Sequence, residues 1–150
     1  MEFVLMLAIY VFACYVNYRI VHKFDPSVSY GENLIPIYNE YLVAKQVMDH
    51  PGRFILILFF VPILFGIISH MFDTTVLASL GNIIAAVMTA RLWGLIAEGL
   101  GKNFWLHAIL AFFALPLLIT VLIFAFDSSA PVRTAKDFQS PPPPPSDPLE

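Results

Sequence analysis

The chain has 150 residues, of which 59% are hydrophobic and only 13% are charged. Globular proteins average about 25% charged residues, so this composition is typical of an integral membrane protein and excludes a chain that is disordered throughout. The formal net charge of −3 provides no basic field for nucleic acid, and we expect no nucleic-acid partner.

Four apolar segments divide the sequence, and each approaches the roughly 20 residues that a helix needs to cross a hydrocarbon core. The predicted transmembrane helices cover 3–21, 54–72, 74–97 and 103–126. The first segment reaches this length only if it includes Arg19, whose side chain must then extend toward the interface. We therefore predict an all-α integral membrane domain over 1–127, with four transmembrane helices.

The connection between the first two spans has its own pattern. Apolar residues recur at helical spacing over 35–49, which predicts an amphipathic helix lying in the headgroup region. Proline is tolerated in the first turn of a helix, and tyrosines suit the interface. The candidate interfacial motif is Pro36, Tyr38, Asn39 and Tyr41.

The basic residues indicate an orientation. With four spans, the first and third loops share one side of the membrane. That side holds six basic residues, against two in the C-terminal tail. Because cytoplasmic loops are rich in Lys and Arg, this distribution predicts that both termini lie outside the cytoplasm, in a bacterial inner membrane.

Small residues repeat every four positions along the predicted third helix. Such rows let helix backbones approach closely in lipid, so we expect this helix to lie at the centre of the bundle and to contact two others. One row is Gly81, Ala85 and Thr89, and the other is Ala86, Ala90 and Gly94.

Prolines mark the second and fourth spans and the tail. Pro62 and Pro116 each remove a backbone hydrogen bond and should kink their helices. The tail, 128–150, is predicted to be disordered, and five consecutive prolines at 141–145 favour an extended polyproline II rod. The rod is either a stiff spacer or a ligand for a polyproline-recognising partner.

Ionisable residues inside membrane segments are candidates for function. Arg91 and Glu98 lie seven residues apart, on nearly the same helix face, and Asn82 is a candidate polar partner. They form either a polar seam for protons, ions or a lipid headgroup, or a pair of side chains that extend to the nearby interface.

Catalytic chemistry has no support in the sequence. His70 and His107 fall on opposite sides of the predicted membrane, and no nucleotide-binding, metal-binding or nucleophile motif occurs. Cys14 is the only cysteine. We therefore predict a protein that is not an enzyme and that needs no cofactor or metal.

Two short motifs resemble an uncharacterised bacterial membrane family. Residues 34–41 read Leu-Ile-Pro-Ile-Tyr-Asn-Glu-Tyr, similar to that family's Ile-Pro-Ile-Tyr-Asn segment. Residues 101–104, Gly-Lys-Asn-Phe, resemble its Phe-Gly-Lys-Gly-type turn, although Leu100 and Asn103 depart from it. The resemblance covers 31–127 and implies three hydrophobic helices after the first motif. Some family members are associated with signal peptidases, which implies a role in envelope biogenesis.

Three functional hypotheses follow. The first is a non-enzymatic accessory or scaffold subunit that packs against other membrane proteins in the cell envelope. The second is a small oligomeric channel or transporter, with Arg91, Glu98 and Asn82 lining its path. The third is a helper in envelope biogenesis that binds lipid or signal peptides through 35–49.

Overall fold

The computed structural model describes residues 2–134, and of 114–116 it describes the backbone only. In this part of the chain the protein is all-helical, without strands. The seven helices are α1 (Glu2–Phe24), α2 (Tyr30–Asn33), α3 (Tyr38–Lys45), α4 (Pro51–Met71), α5 (Val76–Gly99), α6 (Phe104–Phe112) and α7 (Ala114–Phe126). The proline-rich part of the predicted disordered tail, 135–150, lies outside the described residues.

Three of these helices are long and apolar enough to cross a membrane. They are α1, α4 and α5, with 23, 21 and 24 residues. Each corresponds to a predicted span, because about 20 residues of largely apolar sequence predict a helix that can cross a membrane. The prediction of an all-helical fold is confirmed for the described residues, and three of its helices could span a membrane. Helix α4 continues through Pro62.

A tight turn joins α4 to α5 and makes them antiparallel neighbours. Asp73 takes a positive φ of 47°, and the Ser69 hydroxyl donates to the Thr74 carbonyl. Farther from the turn, a Cβ added at Gly81 of α5 would lie 3.0 Å from Cα of Pro62 in α4. Glycine is therefore what allows the two backbones to approach so closely.

The expectation of one spanning helix over 103–126 is not met. Helix α6 ends at Phe112, and Phe113 is extended, with φ −106° and ψ 130°. The chain then reverses, and α7 runs back beside α6, so that the His107 ring lies 4.7 Å from the Phe124 ring. The two helices form a hairpin whose ends lie at the same end of the molecule.

Pro116 explains where this segment divides. Proline has no N–H to donate to the carbonyl four residues earlier, which here is Phe112, the last residue of α6. With the break at Phe113, Pro116 falls in the first turn of α7. Backbone N–H groups in a first turn lack helical partners in any case, so a proline costs little there.

The predicted interfacial helix is shorter than 35–49 and begins later. Ile37 takes a positive φ of 67°, which no helix continues through, and Tyr38 N donates to Pro36 O at 2.7 Å. Pro36 therefore precedes α3 instead of lying in its first turn. The segment also packs against α1, since the Tyr10 hydroxyl donates to Leu34 O at 2.9 Å.

The packed core occupies only one end of the helices. We call this the basic end, because Lys23 and Lys102 lie there, and we call the opposite end, with Glu2 and the 72–75 turn, the distal end. Among the described residues, most buried core side chains belong to the later half of α1, to α3, to the start of α4, to the later half of α5 and to the α6–α7 hairpin. Val28, Val47 and Leu100, in the connections, complete the core. Between residues 2 and 13 of α1 none is buried.

The described chain starts and finishes at opposite ends of the bundle. Glu2 opens α1 at the distal end, whereas Asp127 follows α7 at the basic end. The expectation that both termini lie on one side of a membrane depended on four spanning helices. The predicted fourth span is a hairpin, so that expectation no longer follows.

Candidate functional site

Two lysines converge on one aspartate at the basic end. Lys23 Nζ, at the end of α1, lies 2.6 Å from Asp127 Oδ1, and Lys102 Nζ, in the α5–α6 turn, lies 2.5 Å from Oδ2. Burial opposes ionisation of Asp127, but the hydrogen bonds from Lys102 and Lys23 outweigh it and hold the pKa of this carboxyl well below its usual range. The three residues tie α1, α5 and α7 together.

The chain after α7 returns to the end of α5. Val132 N donates to Gly99 O at 2.8 Å, and Arg133 forms a salt bridge with Glu98. Gly99 leaves no room for a side chain, because a Cβ there would lie 2.8 Å from the Phe24 ring. Glu98 is therefore engaged with the segment that follows α7.

Two small residues of α5, Gly81 and Gly94, lie against other helices of the same chain. Gly81 lies against α4, and a Cβ on Gly94 would lie 2.7 Å from the Phe104 ring of α6 and 3.0 Å from Ala108 Cβ. Ala90, in the same row as Gly94, is buried. The remaining members of the two rows, Ala85, Ala86 and Thr89, are half-buried.

The three residues of the predicted polar seam are not brought together. Glu98 pairs with Arg133, as described above. Asn82 lies nine positions before Arg91, which places the two residues about 180° apart around the helix. A path lined by all three along α5 is therefore inconsistent with the helix geometry.

Arg91 instead lines a groove between α5 and the start of α4. This groove has a volume of about 390 Å³, and Asp49 and His50 also line it. The side chains of Arg91 and Asp49 make no hydrogen bond or ion pair with any residue that the structure describes. The apolar part of the wall consists of Val47, Met48, Phe54, Ile57, Met88 and Leu95.

A second polar cluster lies between α1 and α3. Asn17 Nδ2 donates to Glu40 Oε1 at 3.3 Å, and Asn39 Nδ2 donates to Cys14 Sγ at 3.7 Å. Burial raises the pKa of Glu40, and the Asn17 bond only partly opposes this. Glu40 could not be recognised from the sequence, because 23 positions of chain separate it from Asn17.

The interfacial motif is divided between surface and interior. Tyr38 and Tyr41 stack with ring centroids 5.6 Å apart and an interplanar angle of 16°. Asn39 points the other way, into the contact with α1, and is buried. Pro36 and Tyr38 are exposed and Tyr41 is half-buried, so three of the four motif residues reach the surface.

The remaining candidates do not converge. His70 lies beside the distal turn, and the His107 ring packs on Phe124 in the hairpin. Within 2–134, no three His, Cys, Asp or Glu side chains gather where they could hold a metal ion.

Comparisons with known proteins add no relative. No family model matches the chain, and neither a curated protein nor a solved structure is significantly similar to it. The resemblance carried by 34–41 and 101–104 stays a prediction.

Proposed function

We propose that this protein is a non-enzymatic accessory subunit that assembles with other membrane helices in the cell envelope. The observation that carries the proposal is the absence of a shared core in the distal half of the three long helices. Over 2–13, 55–71 and 76–89 the only buried residues that the structure describes are Ser69 and Gly81.

Lipid solvates apolar side chains, so their exposure alone does not demand a partner. The arrangement of the helices adds a stronger reason. Helix α1 packs on α2, α3 and α7, whereas α5 packs mainly on α4 and α6. The distal half of α1 and the distal α4–α5 hairpin therefore stand as separate apolar elements. Helices of a partner are suited to fill the space between them.

The distribution of basic residues favours one orientation. Seven of the eight Lys and Arg residues fall within 2–134, and all seven lie in the basic half. Because Lys and Arg concentrate on the cytoplasmic side, we place the basic end in the cytoplasm and the start of α1 outside. Glu2 and Asp73 are the charged residues of the distal end. This orientation replaces the one expected from four spans.

The channel hypothesis is less favoured. It requires Arg91, Glu98 and Asn82 to line one path, and Asn82 lies about half a turn from Arg91 around α5. The lipid-binding hypothesis, which rests on 35–49, is more favoured, because Val47, Met48 and Asp49 line the groove beside Arg91.

Site-specific photocrosslinking tests the proposal. A benzophenone amino acid replaces Phe12 or Phe60 of the distal half, which are 50% and 66% exposed. In the control, it replaces Trp105 of the basic end, which is 73% exposed. We expect Phe12 and Phe60 to crosslink to the same membrane protein and Trp105 not to. Crosslinks to lipid alone at all three positions, or only to a second copy of this chain, would contradict the accessory-subunit proposal.

A further inference from the structure

The groove beside Arg91 combines opposite charges with an apolar wall. Arg91 is exposed and lies eight residues before the end of α5, about 12 Å along the axis. Asp49 lines the same groove, yet the two charges form no ion pair with each other among the described residues. A guanidinium and a carboxylate are therefore both available to one ligand.

The position of the groove fits the headgroup layer of a membrane. Helix α4 begins at Pro51, directly after Asp49 and His50, so the polar wall lies where a spanning helix starts. Phe54 and Ile57 continue the wall along α4 in the direction of the hydrocarbon. A ligand that fills the groove must then be polar at one end and apolar at the other.

We propose that this groove binds a phospholipid whose headgroup carries both a phosphate and a primary ammonium. Arg91 binds the phosphate, because a guanidinium matches phosphate oxygens with two parallel hydrogen bonds. Asp49 accepts from the ammonium, and the acyl chain lies along Phe54 and Ile57. The volume of about 390 Å³ falls in the range of about 300–1,000 Å³ that is typical of small-molecule sites.

The same charges discriminate between lipids. A phosphatidylglycerol headgroup offers no cation to Asp49 and is repelled by it. A phosphatidylcholine headgroup has a methylated ammonium that donates no N–H bond to the carboxylate. Phosphatidylethanolamine supplies both groups, so we expect it to bind most tightly.

Native mass spectrometry of the purified, delipidated full chain tests this site. The protein is titrated with short-chain phosphatidylethanolamine, phosphatidylcholine and phosphatidylglycerol. Charge-assisted hydrogen bonds are worth enough that Arg91→Gln should weaken phosphatidylethanolamine binding by about tenfold or more. Asp49→Asn should abolish the preference for phosphatidylethanolamine over phosphatidylglycerol.

The matched control is Arg53→Gln, which removes an exposed arginine of the same end that does not line the groove. It should bind phosphatidylethanolamine as the unaltered chain does. Equal losses for Arg53→Gln and Arg91→Gln would overturn the proposal, because they would indicate general attraction to a basic surface. Phosphoethanolamine without acyl chains should bind much more weakly, and equal binding of it would refute a lipid site. Thermal unfolding of each variant establishes that it is folded.

Discussion

Lys23 Nζ and Asp127 Oδ1 lie 2.6 Å apart although 104 positions of sequence separate the two residues. Lys23 ends the first membrane helix, and Asp127 ends the hairpin formed by α6 and α7. Their ion pair forms because the chain reverses at Phe113 and α7 runs back toward the basic end. The contact therefore links a local break in one helix to the topology of the whole protein.

Removing the carboxylate should destabilise this end of the bundle. Asp127→Asn leaves Lys23 and Lys102, both half-buried, without their partner anion. Loss of charge-assisted hydrogen bonds costs about 1.5–3 kcal/mol, so we expect the free energy of unfolding in detergent to fall by that order. Glu2→Gln, at an exposed position that forms no ion pair with the described residues, provides a control for loss of one carboxylate. A change no larger than that of the control would argue against the cluster.

The same carboxylate makes stability depend on pH. Because the folded-state pKa of Asp127 is lowered, its contribution is present above the ordinary aspartate value of about 3.9 and is lost as pH falls below it. We expect the melting temperature of the unaltered chain to drop on acidification through this range. Asp127→Asn should show a smaller drop, and parallel curves for the two chains would contradict the assignment.

Glu40 should have the opposite effect. Its folded-state pKa is raised, so folding favours the protonated carboxyl, and stability declines as pH rises above the ordinary glutamate value. Glu40→Gln resembles the protonated form and keeps an oxygen for the Asn17 bond. Melting curves recorded from acid to neutral pH should therefore favour the Gln variant increasingly at the neutral end. Glu2→Gln, at an exposed position, is the control for loss of a carboxylate, and an equal pH-dependent gain in both variants would contradict the assignment to Glu40.

Gly94 and Gly66 offer a matched pair of mid-helix glycines. A Cβ at Gly94 would lie 2.7 Å from the Phe104 ring, whereas at Gly66 it would meet nothing within 4 Å. Overpacking costs typically about 1–3 kcal/mol, while alanine in place of glycine within an open helix gains up to about 1 kcal/mol. Gly94→Ala should thus lower the melting temperature and Gly66→Ala should not. Similar behaviour of the two variants would show that α5 and α6 are not in close contact.

Thiol labelling tests on which side of the membrane each connecting segment lies. In a Cys14→Ser background, single cysteines replace Ser27, Asp73 or Ser129, all of which are solvent-accessible or half-buried outside the long helices. A membrane-impermeant maleimide should label Asp73→Cys in intact cells, and the other two only after permeabilisation. If Ser129→Cys is labelled from the same side as Asp73→Cys, the α6–α7 segment crosses the membrane after all.

Composition was sufficient to predict the three long helices, because each consists of largely apolar sequence with few charged residues. It was not sufficient for 103–126, since a half-length hairpin and a full span have the same apolar composition. Pro116 was the available signal, but a proline predicts a kink within a helix as readily as a first turn after a break. The ion pairs of Asp127 with Lys23 and Lys102 also distinguish a hairpin from a full span, but only the folded structure shows them.

Side-chain pairings were the hardest feature to predict. Glu40 lies on α3 among residues that the amphipathic pattern assigns to a polar face, yet it meets Asn17 of α1. The proximity of Arg91 and Glu98 in sequence suggested a common seam, but Glu98 meets Arg133, 35 positions away. Spacing along one helix predicts which residues share a face and does not predict which other segment covers that face.

Native mass spectrometry of the protein, tagged at low copy and extracted gently from its own membrane, tests most directly whether it is an accessory subunit. We predict a defined complex that contains this chain and at least one different membrane protein. A chain that is recovered alone, as a monomer or as a homo-oligomer, under conditions that preserve other membrane complexes would contradict the proposed function.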